Sequence, residues 1–372
     1  MSNTLETKTI EQLNTALLSY NSHMCDIPDI FTVLGEHLLG MTQTEFCGAF
    51  RALQNIIVDI YNYLRENPQI IGLVKPDKKT GELSVQTSQH ISCVKKLLYV
   101  IGRFSEIEET SLVIEMGLLM NAYMTYYSNC SVELAVALNE YSKDKQDKFF
   151  DTKQMRSVFD CLEEFGFEFD GLNKENNAKI AVKYPENPSI LKVLKAFSLL
   201  NICRVSFGFD FTKLNYRVFA HETGAKIPLE DLYSFNMLSD AHKEFLSCLN
   251  EAMTSIGSDY GECASGWYHG TQPCQYIYKN KVRIMQNVEN GLMPYVVVRF
   301  GKKADKVIEF IESLPDEYKG NNGRCSGCRK GDCSNRVIAS SADKKYALCK
   351  VAWWSFPPTV DAVPYIIGAY KI

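Results

Sequence analysis

Four cysteines near the end of the chain constrain this sequence more than any other feature. Cys325, Cys328 and Cys333 lie close together, and Cys349 follows after a gap of 15 residues. A Cys-x-x-Cys turn that contains glycine brings two thiolates toward one point, and two further thiolates complete a tetrahedron. Because four protein ligands leave no position for a substrate water, the pattern predicts a structural zinc site. The place of Cys349 in that site requires the chain to fold back.

An iron–sulfur cluster is the alternative cofactor, since four thiolates suit it as well, although the spacing matches neither common ferredoxin pattern. Disulfides would need an oxidising compartment. Residues 1–18 are polar and include Glu6, Lys8 and Glu11, unlike the apolar core of a secretory signal. We therefore expect reduced thiols and a cytoplasmic location.

The other cysteines are scattered, mostly among apolar neighbours, and are expected to act as small apolar side chains. Cys263, His269 and Cys274 are close in sequence, but a second metal site there is disfavoured. Their spacing matches no recurring ligand pattern, and no fourth ligand is evident.

Composition indicates an ordinary globular protein. The chain has 372 residues, of which 46% are hydrophobic and 23% charged, so it is long enough for two domains with ample cores. The most apolar stretch, from Val113 to Met124, is interrupted by Glu115 and Asn121. It is too short and too polar for a bilayer, so no membrane association is expected.

The charge distribution is uneven. The whole chain has a net charge of −4, but the segment from Glu317 to Lys350 is basic. A rim of four cations there could meet an anion, and the alternative is a solvated loop that screens the thiolates: Arg324, Arg329, Lys330 and Arg336. Nucleic acid is a disfavoured partner, because the rest of the chain is acidic and the loop offers no helix for a groove. The partner stays open, and a protein is one candidate.

Periodicity predicts an α+β fold class. Over residues 1–150 a helical bundle is expected, with a capping box at Thr42 and Glu45 and a third helix from Glu108 to Ser128. A mixed α+β domain is expected over residues 151–372, with the cysteine-rich metal loop at residues 325–349. In that domain helices are expected from near Ser239 and over Ala304–Ser313. The segments predicted as strands include two rich in phenylalanine and the last two of the chain: Phe165–Asp170, Phe207–Thr212, Tyr346–Trp354 and Val363–Tyr370.

The segment Phe165-Gly-Phe-Glu-Phe-Asp-Gly-Leu172, with Tyr184-Pro-Glu-Asn-Pro188, resembles a group of uncharacterised bacterial cytoplasmic proteins. The likeness returns near the C-terminal Cys-x-x-Cys and covers roughly residues 151–372. It implies a cytoplasmic protein and assigns no catalytic residue.

Motifs of catalysis are missing from the sequence, which has no phosphate-binding glycine loop, no Gly-x-Ser-x-Gly and no His-Glu-x-x-His. His221 and His269 are the histidines in the most suggestive settings, and residues 257–270 are rich in glycine. Two main hypotheses remain open: a non-catalytic binding or regulatory protein that uses the metal loop, and an enzyme with a pocket near residues 257–270. Nucleic-acid binding by the basic rim is a third.

Overall fold

The computed structural model divides the chain into two compact units, Met1–Ile227 and Pro228–Ile372. It describes residues 26–67, 70, 74–76, 83–85, 93–119, 153–172, 178–200, 214–225, 227–231, 233–236, 238–261, 266–268, 282–286, 294–299, 304–319, 336–341, 344–349 and 353–371.

In the first unit, the long helix α1, Gln43–Glu66, starts where the capping box predicts. The Thr42 hydroxyl accepts a hydrogen bond from the Glu45 N–H at 3.2 Å, which satisfies one free donor of the first turn. Its buried residues recur every three or four positions, so one stripe faces the core. The Asn67 side chain donates to the Tyr63 carbonyl at 3.1 Å and closes the helix.

Strands and helices then alternate in this unit. In chain order these elements are β1 Val74–Pro76, β2 Leu83–Val85, α2 Cys93–Phe104, β3 Glu106–Glu108, β4 Ser111–Glu115, α3 Lys153–Glu164, β5 Glu168–Asp170, β6 Lys179–Lys183 and α4 Ser189–Leu199. β1 and β2 form a separate antiparallel pair. The remaining strands form an antiparallel sheet in the order β3-β4-β6-β5. Two consecutive helix–hairpin segments, α2-β3-β4 and α3-β5-β6, thus meet through their second strands.

The register of the central strands separates a buried face from a charged one. Leu112 lies opposite Val182 and Ile114 opposite Ile180, and all four are buried. Alternate positions pair Glu115 with Lys179 and Ser111 with Lys183. Since side chains alternate along a strand, one face belongs to the core and the other carries charges.

This sheet corrects two predictions. The expected helix Glu108–Ser128 is wrong at its start, because a turn at Glu109 (φ 50°) leads into β4, and only residues 116–119 are helical before the described part ends at residue 119. The apolar residues of β4 are compatible with the periodicity of a helix and with that of a strand. Their pairing with β6 makes this segment a strand. An N-terminal bundle ending at residue 150 is likewise not what the described residues form. β4 and β6 lie on opposite sides of that position, and the units divide after Ile227.

Helices α2 and α4 cross at Gly102, where their backbones come close together. A Cβ at Gly102 would lie 2.3 Å from the Ser198 Oγ and 2.7 Å from the Leu194 carbonyl oxygen. Both distances are far below van der Waals contact, so only glycine fits here without movement of α4.

We expect Gly102→Ala to destabilise the first unit by about 1–3 kcal/mol, since overpacking forces the helices apart. Gly48 on α1 is the matched control, because a Cβ there would meet nothing within 4 Å. Gly48→Ala should instead stabilise by up to about 1 kcal/mol through helix propensity. Urea denaturation of both variants measures the change in the free energy of unfolding. Changes of the same sign for Gly102→Ala and Gly48→Ala would contradict the close crossing.

The core of the first unit is a cluster of aromatic rings. Phe219 comes from a 3-10 turn, Tyr216–Ala220. Its ring centroid lies 4.8 Å from that of Phe46, 5.3 Å from Phe50 and 5.7 Å from Phe197. One residue of a short turn therefore joins helices α1 and α4.

The second unit is also of mixed α and β structure. Its elements in chain order are α5 Tyr233–Asn236, α6 Asp240–Ser255, β7 Asp259–Gly261, β8 Gly266–Tyr268, β9 Val282–Gln286, β10 Pro294–Arg299, α7 Ala304–Ser313, α8 Asp316–Lys319, β11 Arg336–Ser341, β12 Lys344–Cys349, β13 Trp353–Phe356 and α9 Val363–Lys371. Five strands form an antiparallel sheet in the order β13-β10-β9-β8-β7, and β11 pairs with β12 alone. The α+β class is confirmed in both units.

The C-terminal strand predicted over Val363–Tyr370 is wrong, because these residues form α9. Val363, Ile366 and Ala369 are buried at helical spacing. Gly368 allows the Phe310 ring of α7 to approach, since a Cβ there would lie 2.6 Å from that ring. A second phenylalanine-rich strand expected at Phe207–Thr212 lies outside the described residues.

Candidate functional site

The predicted metal site is only partly within the described chain. Cys349 is the last residue of β12. Cys325, Cys328 and Cys333 lie outside the described residues, as do the rim residues Arg324, Arg329 and Lys330. Within the described part of the chain, no group of three or more His, Cys, Asp or Glu could hold a metal ion.

The β11–β12 hairpin determines where Cys349 lies. Its register runs from Ser341 opposite Lys344 to Arg336 opposite Cys349. Two residues separate Cys333 from Arg336 in the sequence, and three steps of chain span at most about 11 Å. The hairpin thus returns Cys349 to the end of the segment that carries the other three cysteines. It also makes the rim residue Arg336 the cross-strand neighbour of Cys349.

The glycine-rich segment forms strands where it is described, not a loop over a pocket. Gly257 (φ 76°) follows the end of α6. β7 then pairs with β8, with Tyr260 opposite Trp267, and β8 pairs with β9. The segment therefore contributes the outer strand β7 and its neighbour β8 at one end of the five-stranded sheet. His269, Cys263 and Cys274 lie outside the described residues.

The structure supports the expectation for isolated cysteines at the buried positions it describes. Cys47 and Cys161 are buried, and the Cys47 thiol donates to the Phe31 carbonyl at 3.6 Å. Burial, with a contribution from Glu164, raises the pKa of Cys161 to about 12. A thiol with so high a pKa stays protonated and unreactive at neutral pH.

His221 belongs to a cluster that the sequence did not indicate. We call Glu36, His37, His221 and Thr223 the clasp. The buried His37 donates from Nε2 to the His221 carbonyl at 2.7 Å, and the Glu36 carboxylate accepts the Thr223 N–H at 2.5 Å. These two hydrogen bonds join residues 36–37 to residues 221–223 beside Phe219, whose ring centroid lies 5.6 Å from that of His37. Because Nε2 is committed to a backbone carbonyl, the clasp serves structure better than proton transfer.

The clasp should titrate in acid. The hydrogen bond from the Thr223 backbone N–H holds the pKa of Glu36 below its ordinary value. Because the pKa of Glu36 is lower in the folded than in the unfolded protein, this hydrogen bond contributes its full stability above the unfolded-state pKa. That stability is lost as the pH falls through the folded-state pKa. The NMR shift of the Thr223 amide should therefore titrate below the usual glutamate pKa. Glu36→Gln should abolish that titration, whereas Glu222→Gln should leave it; an amide that titrates unchanged in Glu36→Gln would refute the assignment.

A second cluster joins the C-terminal ends of α2 and α4. Arg103 donates to the Leu199 carbonyl at 2.7 Å, and Lys195 donates in return to the Ser105 carbonyl at 2.5 Å. Each cation meets the free carbonyls at the end of the other helix, where the helix dipole is negative. Burial, and then the neighbouring Arg103, lower the pKa of Lys195, while Glu106 opposes the shift.

A lysine with a lowered pKa is a candidate for catalysis, but its surroundings argue otherwise. Its ammonium donates to backbone carbonyls of Arg103 and Ser105. Lys195 also does not line the small apolar recess formed by Ile57, Ile60, Tyr61, Val94 and Leu98. We assign Lys195 and Arg103 to mutual capping of the two helices.

No family model, curated protein or solved structure matches this chain. Across the described residues, none of the helices has both the length and the apolar character needed to span a membrane.

Proposed function

We propose that this chain is a non-catalytic binding or regulatory protein whose C-terminal region is organised by a structural zinc. Four thiolates would hold the metal: Cys325, Cys328, Cys333 and Cys349. The observation that supports this most is the register of the β11–β12 hairpin, which pairs Cys349 with Arg336. This pairing supplies the return of the chain that the fourth ligand requires.

The donor set and its surroundings suit zinc. Four cysteines without an evident histidine ligand are typical of a closed, tetrahedral site. Such a site carries excess negative charge, which nearby cations offset. Arg336 is the register partner of Cys349 in the hairpin, and Arg324, Arg329 and Lys330 flank the other ligands in sequence. When bound, the zinc would stabilise the fold and supply no chemistry to a substrate.

The same arrangement suggests a contact surface. A metal that fixes the cysteine-rich segment would hold its cations in place, and a fixed basic surface attracts an acidic protein partner. Neither cluster described in the first unit favours an enzyme, since both are committed to backbone carbonyls or N–H groups.

Elemental analysis of the purified protein tests the proposal. We expect one zinc per chain, and we expect Cys349→Ser to reduce the bound zinc strongly because a three-cysteine site is incomplete. Cys248→Ser is the control, since Cys248 is a half-buried cysteine of the same unit, and it should keep the metal. Absence of stoichiometric metal in the wild type, or full retention in Cys349→Ser, would refute the site. Iron and visible absorption would identify the alternative cluster.

A further inference from the structure

The strand β3 forms an acidic edge of the first sheet. We define the acidic edge as Glu106, Ile107, Glu108 and Glu109. All four residues are exposed, and Ile107 is 38% exposed. In the sheet order β3-β4-β6-β5, β3 is an outer strand, so its second side has no partner among the described strands. Such an edge offers unpaired N–H and C=O groups to another chain.

The hairpin β11–β12 forms a basic edge in the second unit. It is a two-stranded sheet by itself among the described strands. Ile338 is 64% exposed, the largest exposure among the large apolar side chains that the structure describes. The hairpin carries Arg336, Lys344 and Lys345. β11 packs against the helix α7. Neither outer edge of the hairpin has a strand partner among the described strands, so a third strand can add to it.

The charges of the two edges decide which contacts are favourable. Two acidic edges would repel each other, as would two basic hairpins. A contact between one acidic edge and one basic hairpin is attractive, and it would cover Ile107 and Ile338, both exposed in the single chain. Charge complementarity therefore selects the mixed contact.

We propose that this chain associates with a second copy of itself, with the acidic edge of one copy lying along the basic hairpin of the next. Strand addition supplies the backbone hydrogen bonds, and the two isoleucines supply apolar contact. Because the two surfaces differ, the contact is heterologous and leads to chains or rings of subunits. Because opposite charges supply the attraction, the association weakens as salt increases.

Sedimentation velocity of the full chain tests this association. At low salt we expect the sedimentation coefficient to rise with concentration up to about 100 μM, where micromolar contacts are populated. Two reversed variants should each associate roughly tenfold more weakly, since like charges then meet: Glu108→Lys with Glu109→Lys, and Lys344→Glu with Lys345→Glu. Glu106 is left unchanged because it lies near Lys195. Glu108 lies 3.8 Å from the Lys179 ammonium of β6, and a neutral variant at Glu108 and Glu109 separates loss of this ion pair from reversal of charge.

Mixing the two charge-reversed variants is the most direct test of the proposed contact. Each then offers the charge that the other lacks, so association should return to wild-type strength. Glu108→Gln with Glu109→Gln provides a neutral variant if charge reversal disturbs the fold. A wild type that stays monomeric at low salt, or a mixture that fails to associate, overturns the proposal.

This test is independent of the proposed zinc. Lys344 and Lys345 pair with Ser341 and Ser340 at the turn end of the hairpin, away from Cys349. Zinc content measured on each variant should equal that of the wild type. Loss of association with zinc retained therefore reports on this surface alone, and absence of zinc in all variants bears on the metal site alone.

Discussion

Replacing Phe219 by alanine should destabilise the first unit by about 3–5 kcal/mol, the range for removal of a buried aromatic side chain. The ring is fully buried and contacts the rings of Phe46, Phe50 and Phe197. Loss of one ring would therefore leave a cavity between α1 and α4. The turn that carries it is short and is further held by the clasp.

Urea denaturation with hydrogen exchange followed in α1 measures this loss in the first unit, whatever the second unit does. Phe165→Ala is the matched control, because Phe165 is only half-buried and packs edge-to-face on Tyr63 at 5.5 Å. It should cost about 1 kcal/mol or less, because less apolar surface leaves contact. Equal losses for the two variants would contradict the central place of Phe219 in the core.

Removal of zinc is expected to have the second large effect, and it should be local. A ligand that binds only the folded state stabilises it, so chelation should loosen the region that the metal organises. Amides of β11 and β12 should then exchange faster, because the proposed metal joins the end of this hairpin, at Cys349, to the cysteine-rich segment before it. Amides of α1 should keep their protection, since its core of aromatic residues does not depend on metal.

Hydrogen exchange with and without a strong chelator measures this difference, and addition of zinc should restore protection. Cys248→Ser should respond as the wild type does. Protection of β11 and β12 that is the same with and without chelator would show that the hairpin is stable without a metal.

Local signals predicted much of the fold correctly. The capping box at Thr42 predicts α1, and Ser239 marks the start of α6, whose first turn it caps through the His242 N–H at 3.4 Å. The bounds of α7, Ala304–Ser313, agree with the prediction. These elements are predictable because caps and periodicity act within one or two turns of chain.

The failures share a physical cause, which is that distant residues decide the outcome. β4 is a strand because it pairs with β6, and α9 is a helix that packs by Gly368 against Phe310. Both segments are so apolar that their sequence fits the periodicity of a helix as well as that of a strand. The domain boundary failed for the same reason, since a sheet joins chain from both sides of residue 150.

The side-chain clusters were missed because their partners are remote in sequence. His37 and His221 are 184 residues apart, and Lys195 meets the Ser105 carbonyl across 90 residues. The four cysteines could be proposed as a site from the sequence because three of them are local. The fourth, Cys349, gains support from the hairpin, whose register no sequence pattern specified.

X-ray absorption at the zinc edge tests the central claim most directly. For the purified wild type we expect four sulfur neighbours at about 2.3 Å, the distance of a zinc–thiolate bond. In Cys349→Ser the same shell should fall to three sulfurs with a nitrogen or oxygen neighbour, or the zinc should be lost. An unchanged shell of four sulfurs in Cys349→Ser, or a wild-type shell made of nitrogen and oxygen, would contradict the account.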